Sequence, residues 1–243
     1  MKYYEYGNKD LKSLCLIHDM MMGRSCFDNF VKIASQFYHI IVVSMDGYNP
    51  DDPEICFGTS RHEAEQLIVY VRDHLHGRLD IVYGLGMGSA VIMHLLKDMR
   101  IRLGTVIIDS MVIARNGRKD ANYYMSELKL IQAGKTPNLL KKMGIPHIRL
   151  VMPYLYDHIE EDTLAASLID LLLFSVPFSR LDEKSHYWYG EEDTLGKKMA
   201  LRIKKENPTV TVKSFPEKGH GGLLDDPRLL LKEIKEASEH EVL

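Results

Sequence analysis

Cysteine is scarce in this sequence of 243 residues: Cys15, Cys26 and Cys56 are all there is. Three scattered thiols cannot frame a disulfide scaffold or a zinc site, so a reducing, cytoplasmic setting is expected. No apolar run approaches the roughly 20 residues that a membrane span needs. The most apolar long stretch, residues 164–176, is interrupted by Ser167, Asp170 and Ser175 and reads as a packed helix. The opening residues Met1 to Gly7 are polar and tyrosine-rich with no apolar core, so no signal peptide is expected. Charge of one sign is not in excess. A net charge of −3 argues against a nucleic acid or an anionic membrane held by electrostatics. The histidines outside the late Gly-His-Gly show no metal-ligand spacing, so neither a metal nor a cofactor is expected. There is no internal repeat and no low-complexity segment.

What is present is enough apolar residue for one large soluble domain with a buried core. Strand and helix signals alternate, as in a mostly parallel sheet with helices on both faces. Strands are predicted at Ser13 to His18, His39 to Met45, Leu79 to Tyr83, Thr105 to Ile108, Ser185 to Tyr189 and Thr209 to Phe215. Between the first two, Phe27, Phe30, Val31, Ala34 and Phe37 recur at helical spacing. Ser60 and Glu63 read as a capping box opening a helix to about His76. Further helices are predicted over Met87 to Met99 and about Leu195 to Asn207. A last one starts at Asp226-Pro227. From about Met111 to Glu183 the alternation breaks. The segment is helical and irregular, punctuated by Gly134, Pro137, Gly144, Pro146, Pro153 and Pro177.

The most informative stretch is Asp80-Ile-Val-Tyr-Gly-Leu-Gly-Met-Gly-Ser-Ala, a buried strand running through spaced glycines into an apolar helix. Two chemistries use such a turn. A dinucleotide fingerprint, G-x-G-x-x-G/A, would take Gly84, Gly86 and Ser89, with Asp109 as the distant acid, but Ser89 stands where that pattern wants its last small residue. A nucleophile elbow, G-x-S-x-G, would take Gly84 and Gly88 as the flanking small residues, with Gly86 at the nucleophile position.

The remaining motifs favour the second. His18-Asp19 stands at the end of an early strand, Gly190-Glu-Glu-Asp193 follows a late one, and Gly219-His220-Gly221 the last. In this order the chain resembles the α/β-hydrolase superfamily of serine-hydrolase type over nearly its whole length outside residues 111–183. The resemblance implies an α/β-hydrolase fold with residues 1–110 and 184–243 as the core and residues 111–183 as a helical lid. It implies a triad with His220 as base and Asp193 as acid, Asp109 being the alternative acid. It places the oxyanion donors at the backbone N–H groups of Met20 and Met87. Where the family usually has His-Gly, this chain has His18-Asp19. Where the family has serine, it has Gly86. Ser89 lies about 5 Å of helical rise away and is better placed for packing than for attack.

The expected lineage is an esterase-like acyl hydrolase whose ligand is a small apolar ester or acyl compound. The pocket would be walled by Met20, Met21 and Met22 and by lid residues such as Tyr123, Tyr124, Tyr154, Tyr156, Leu168, Leu171, Leu172, Leu173 and Phe174. Gly86 has three readings: a deliberate Ser→Gly replacement in an enzyme, a natural pseudoenzyme, or non-covalent chemistry with water in the vacated space. In lacking the nucleophile the chain looks like the N-myc downstream-regulated family. The alternative to an enzyme is a non-catalytic protein binding a ligand or a protein on the same fold, and an apolar lid could support a homodimer.

Overall fold

The apolar runs are strands whose side chains are covered on both faces. The computed structural model describes residues 1–96, 98–111, 118–133, 135, 138–144 and 159–239. Seven strands run Lys2–Tyr6 (β1), Ser13–Ile17 (β2), His39–Ser44 (β3), Arg78–Leu85 (β4), Arg102–Asp109 (β5), Ser185–Gly190 (β6) and Thr211–Phe215 (β7). They make one sheet in the order β1-β3-β2-β4-β5-β6-β7. All neighbours are parallel except β1, which pairs antiparallel with β3. β2 and β3 are buried at every position, and β4 and β5 are buried along their C-terminal halves. Such strands read as continuous Leu/Ile/Val runs because helices cover both faces of a parallel sheet. β1 has no counterpart among the sequence-predicted strands. Its half-buried Tyr3-Tyr4-Glu5-Tyr6 pattern is that of an edge strand, and Tyr3 stacks on Tyr70 with ring centroids 3.8 Å apart.

Eight α-helices are assigned among the described residues. They are Asp28–Ala34 (α1), Ser60–His74 (α2), Met87–Leu95 (α3), Arg118–Gln132 (α4), Asn138–Lys142 (α5), Glu161–Leu173 (α6), Thr194–Glu206 (α7) and Pro227–Glu239 (α8). α1 packs on α8 and α2 on α3. The chain between β5 and β6 holds α4, α5 and α6. The expected Tyr154 and Tyr156 and the punctuating Gly134, Pro137, Pro146 and Pro153 lie outside the described residues. No helix among the described residues is long and apolar enough to cross a membrane.

Some local readings need correction. The capping box at Ser60 and Glu63 does not form. Thr59 is the N-cap, its hydroxyl accepting from the His62 N–H at 3.1 Å. Glu63 turns inward and accepts from the Asp46 N–H at 3.2 Å, so tertiary contact outranks the local signal. The helix predicted to Met99 stops at Leu95. Phe37 lies beyond α1 and is exposed, so it does not belong to that helix's buried stripe.

Candidate active site

Five parallel strands end on the same edge of the sheet, and the loops that follow them carry the polar residues singled out by sequence. Ligand sites of open α/β sheets form on that edge because successive crossovers leave a crevice there. His18-Asp19 follows β2, Gly86 follows β4, Asp109-Ser110 closes β5, Asp193 follows β6 and His220 follows β7.

The turn from β4 into α3 is tight at each of its glycines. Gly86 has φ +50° and ψ −110°, a conformation that a side chain adopts only under strain. Its N–H donates to the Asp109 carbonyl at 2.9 Å. A Cβ on Gly88 would strike the Ile17 carbonyl, and one on Gly84 would come 2.7 Å from the Gly88 backbone. The small residues thus let α3 lie directly on β2 and β4. Ser89 belongs to the same packing: its hydroxyl donates to the Gly84 carbonyl at 2.6 Å, and no hydrogen bond joins it to His220.

Asp193 and His220 meet. Asp193 Oδ2 lies 3.0 Å from His220 Nδ1, while Asp193 Oδ1 accepts from the Leu195 and Gly196 N–H groups at 2.9 Å. One carboxylate therefore caps α7 and orients the histidine together. His220 is also held from its backbone, its N–H donating to the Met143 carbonyl at 2.7 Å. Asp109, the alternative acid, makes no hydrogen bond to His220. It accepts from the Tyr83 hydroxyl at 2.5 Å and from Ser110 Oγ at 2.7 Å. Burial pushes it up to about 6 against those two hydrogen bonds.

The N–H groups of Met20 and Met87 converge on one oxygen, and that oxygen belongs to the protein. Asp19 Oδ1 accepts from Met20 at 2.7 Å and from Met87 at 2.6 Å. Asp19 Oδ2 lies 2.9 Å from His220 Nε2. Met87 is the first residue of α3, so Oδ1 also sits at the positive end of that helix. A Cβ on Gly86 would overlap the carboxylate carbon of Asp19. The Asp19 carboxylate thus fills the space that a side chain at position 86 would enter.

Asp19 is anchored from behind by His18. The His18 Nδ1–H donates to the Asp19 carbonyl at 2.8 Å, and Nε2 accepts from the Met45 N–H at 3.2 Å. Burial takes His18 down to about 4, so it is neutral, as that bonding pattern requires. His220 goes the other way. Burial works against its charge, but hydrogen bonds and attraction from Asp19 and Asp193 outweigh it and raise the imidazole to about 10. Asp19, His220 and Asp193 thus form one buried row, with side-chain exposures of 9%, 2% and 0%.

Asp19 is the site residue that the sequence reading passed over. Its signal was the departure from His-Gly: an acid placed next to an expected oxyanion donor can reach that donor itself. Met21 and Met22, expected in an acyl pocket, are buried in the main core and Met20 is partly exposed. A groove of about 800 Å³ runs between α2 and α6, lined by Ala64, Ile68, Ala166, Ile169, Leu173 and Phe174 among others, and neither Asp19 nor His220 lines it. The described residues contain no cluster of metal-ligating side chains.

The dinucleotide reading meets two obstacles here. The Met87 N–H at the start of α3, where a pyrophosphate would bind, is taken by Asp19. Asp109, the ribose acid of that reading, is buried on Tyr83 and Ser110.

No family model matches the sequence and no curated protein matches it. Solved structures match over nearly all of the chain. An α/β-hydrolase family protein from Desulfitobacterium hafniense superposes with a TM-score of 0.84 at 17% identity, covering 97% of this chain and 99% of that one. A thermophilic esterase from Thermogutta terrifontis gives 0.76 at 14% identity, covering 98% and 93%. MenH from S. aureus gives 0.76 at 14% identity, covering 99% and 98%. With the strand order and the placement of its loops, this chain has the α/β-hydrolase fold.

Proposed function

We propose that this chain is a non-hydrolytic binding protein built on an esterase-like centre that has lost its nucleophile and been closed by Asp19. One observation carries the reading: the Asp19 carboxylate occupies both oxyanion donors and the histidine nitrogen that a serine would use. Ester hydrolysis by the triad needs a hydroxyl, a neutral imidazole and a vacant oxyanion hole. Gly86 supplies no hydroxyl, His220 is already protonated, and the hole is filled. Water in place of the serine would meet the same obstacle, since an imidazolium cannot accept its proton.

Gly86 and Asp19 fit each other sterically, which favours glycine as the native residue over a replaced serine. We take residues 111–183 as the lid that the resemblance implies; of the described part, α6 contributes to the groove against α2. That groove offers a small acyl ligand apolar walls at Ile68, Ile169, Leu173 and Phe174 beside charged ones at Arg61, Glu65, Asp98 and Asp170, and lies within the usual volume of small-molecule sites. Ile169 and Leu173 on α6 are exposed and give a second copy of the chain an apolar face to meet.

Hydrolysis of p-nitrophenyl acetate and butyrate tests the reading. The unmodified chain is expected to be silent. Gly86→Ser is expected to stay silent as well, because its Cβ would run into Asp19. The double variant Asp19→Gly/Gly86→Ser rebuilds His-Gly and the hydroxyl together, and is expected to gain turnover that a further His220→Ala removes. Turnover by the unmodified chain that depends on His220 would overturn the proposal. So would a folded but silent double variant, since the centre would then be no remnant of a hydrolase.

A further inference from the structure

We propose that the Met20 N–H, the Met87 N–H and His220 Nε2 form a monocarboxylate-binding site for which Asp19 is the built-in ligand, and which takes a small external carboxylate when the Asp19 side chain is withdrawn. The inference rests on the reading of the centre as non-hydrolytic and names the ligand class of that same site.

The contacts of Asp19 are those of a bound acid. One oxygen lies between two backbone donors at 2.7 and 2.6 Å, and the other faces the imidazole at 2.9 Å. The Met87 and His220 donors are buried and the Met20 donor is part-buried, and the first two are fixed by secondary structure or backbone bonding. Met87 opens α3, and the His220 backbone is tied to Met143. An unfilled hole would leave the buried Met87 N–H, the part-buried Met20 N–H and His220 Nε2 without their acceptor, His220 keeping only Asp193. Unpaired buried donors are costly, so the site retains a preference for an anion of carboxylate shape. Exchange of one carboxylate for another preserves all three hydrogen bonds. Entry of a neutral ester does not, because it leaves the imidazolium and Asp193 without the second carboxylate. Asp19 enters the site by its side chain alone, so a different side-chain rotamer withdraws the carboxylate while its backbone, bonded to His18 and Met22, keeps the Met20 N–H in place.

The experiment is chemical rescue with acetate. Asp19→Ala, Asp19→Ala/His220→Ala and the unmodified chain are titrated with sodium acetate against sodium chloride at constant ionic strength. Thermal unfolding and the His220 ring signals by NMR are read in each. Asp19→Ala is expected to lose several degrees of Tm, to recover a saturable part of it with acetate and not with chloride, and to regain the imidazolium signal of His220 on acetate binding. Removal of His220 is expected to abolish the recovery. If Asp19→Ala is too unstable, Asp19→Asn keeps the shape without the charge, and its His220 is expected to titrate lower by at least one pH unit. A folded Asp19→Ala on which acetate acts no differently from chloride would overturn the proposal, as would rescue that survives loss of His220 or an unchanged His220 titration in Asp19→Asn. Ester turnover in the same preparations keeps the two readings apart. Turnover by the unmodified chain defeats the non-hydrolytic function whatever acetate does, while failed rescue defeats only the carboxylate site.

Discussion

Two buried carboxyl groups in this molecule sit in opposite circumstances. Asp193 gives one oxygen to the N-terminus of α7 and the other to His220, so its charge is met on every side. Truncating one partner of such a buried ionic pair costs roughly 3–5 kcal/mol. Glu63 on α2 is fully buried with one oxygen on the Asp46 N–H and the other, Oε1, without a partner among the described residues. Burial and then the nearby Asp46 carboxylate raise it from 4.5 to about 8. A carboxyl whose folded value is raised binds a proton in the native state that the unfolded chain has released. The contribution of Glu63 to stability therefore falls as pH rises from about 4.5 to about 8 and is constant above, where the raised His220 continues the decline to about 10. Glu63→Gln is expected to flatten that part of the stability–pH curve and to stabilise the protein on the order of 2 kcal/mol at pH 8, measured by denaturant unfolding. A steeper decline in the variant would refute the assignment of Glu63 as the titrating group.

At the scale of the element, the caps separate what sequence reveals from what it hides. Asp226-Pro227 was legible as a helix start because both residues act locally, and Asp226 does accept from the Leu229 N–H at 3.1 Å. At α2, two hydroxyls stand side by side and the spacing to Glu63 points to the wrong one. Thr59 caps, while Ser60 Oγ is buried with no partner among the described residues. Thr59→Ala is expected to cost about 1 kcal/mol in thermal or denaturant unfolding. Ser60→Ala is expected to cost less than about half of that, since it removes a buried hydroxyl with no hydrogen bond among the described residues. A reversal of the two would restore the capping box. β1 was missed for a related reason: an edge strand of tyrosines draws its order from pairing with β3 and from Tyr70, neither of which is local.

Across the whole molecule, the fold was readable because each strand of a parallel sheet announces itself as an apolar run, and because the loops at their C-terminal ends carry glycine, acid and histidine in a fixed order. The pairing of Asp193 with His220, and of Met20 with Met87, followed from that order. The meaning of the site did not. His18-Asp19 and Gly86 are 67 residues apart, and only the folded chain shows that the side chain of one occupies the room left by the other. The sheet brings three loops together so that an acid from the first closes the hole at the second and charges the histidine of the third. On the proposed reading, a hydrolase-fold centre is thereby turned into an internal salt bridge.

That conversion is tested most directly by the protonation state of His220, followed by NMR of the imidazole ring from pH 5 to pH 11, with Asp19→Asn as reference. An imidazolium that persists through neutral pH and titrates near 10, and that falls well below this in Asp19→Asn, is the result this account requires. A His220 that loses its proton near 6.5 in the unmodified chain would mean that Asp19 does not hold the site, that a general base is available, and that the closed, non-hydrolytic reading is wrong.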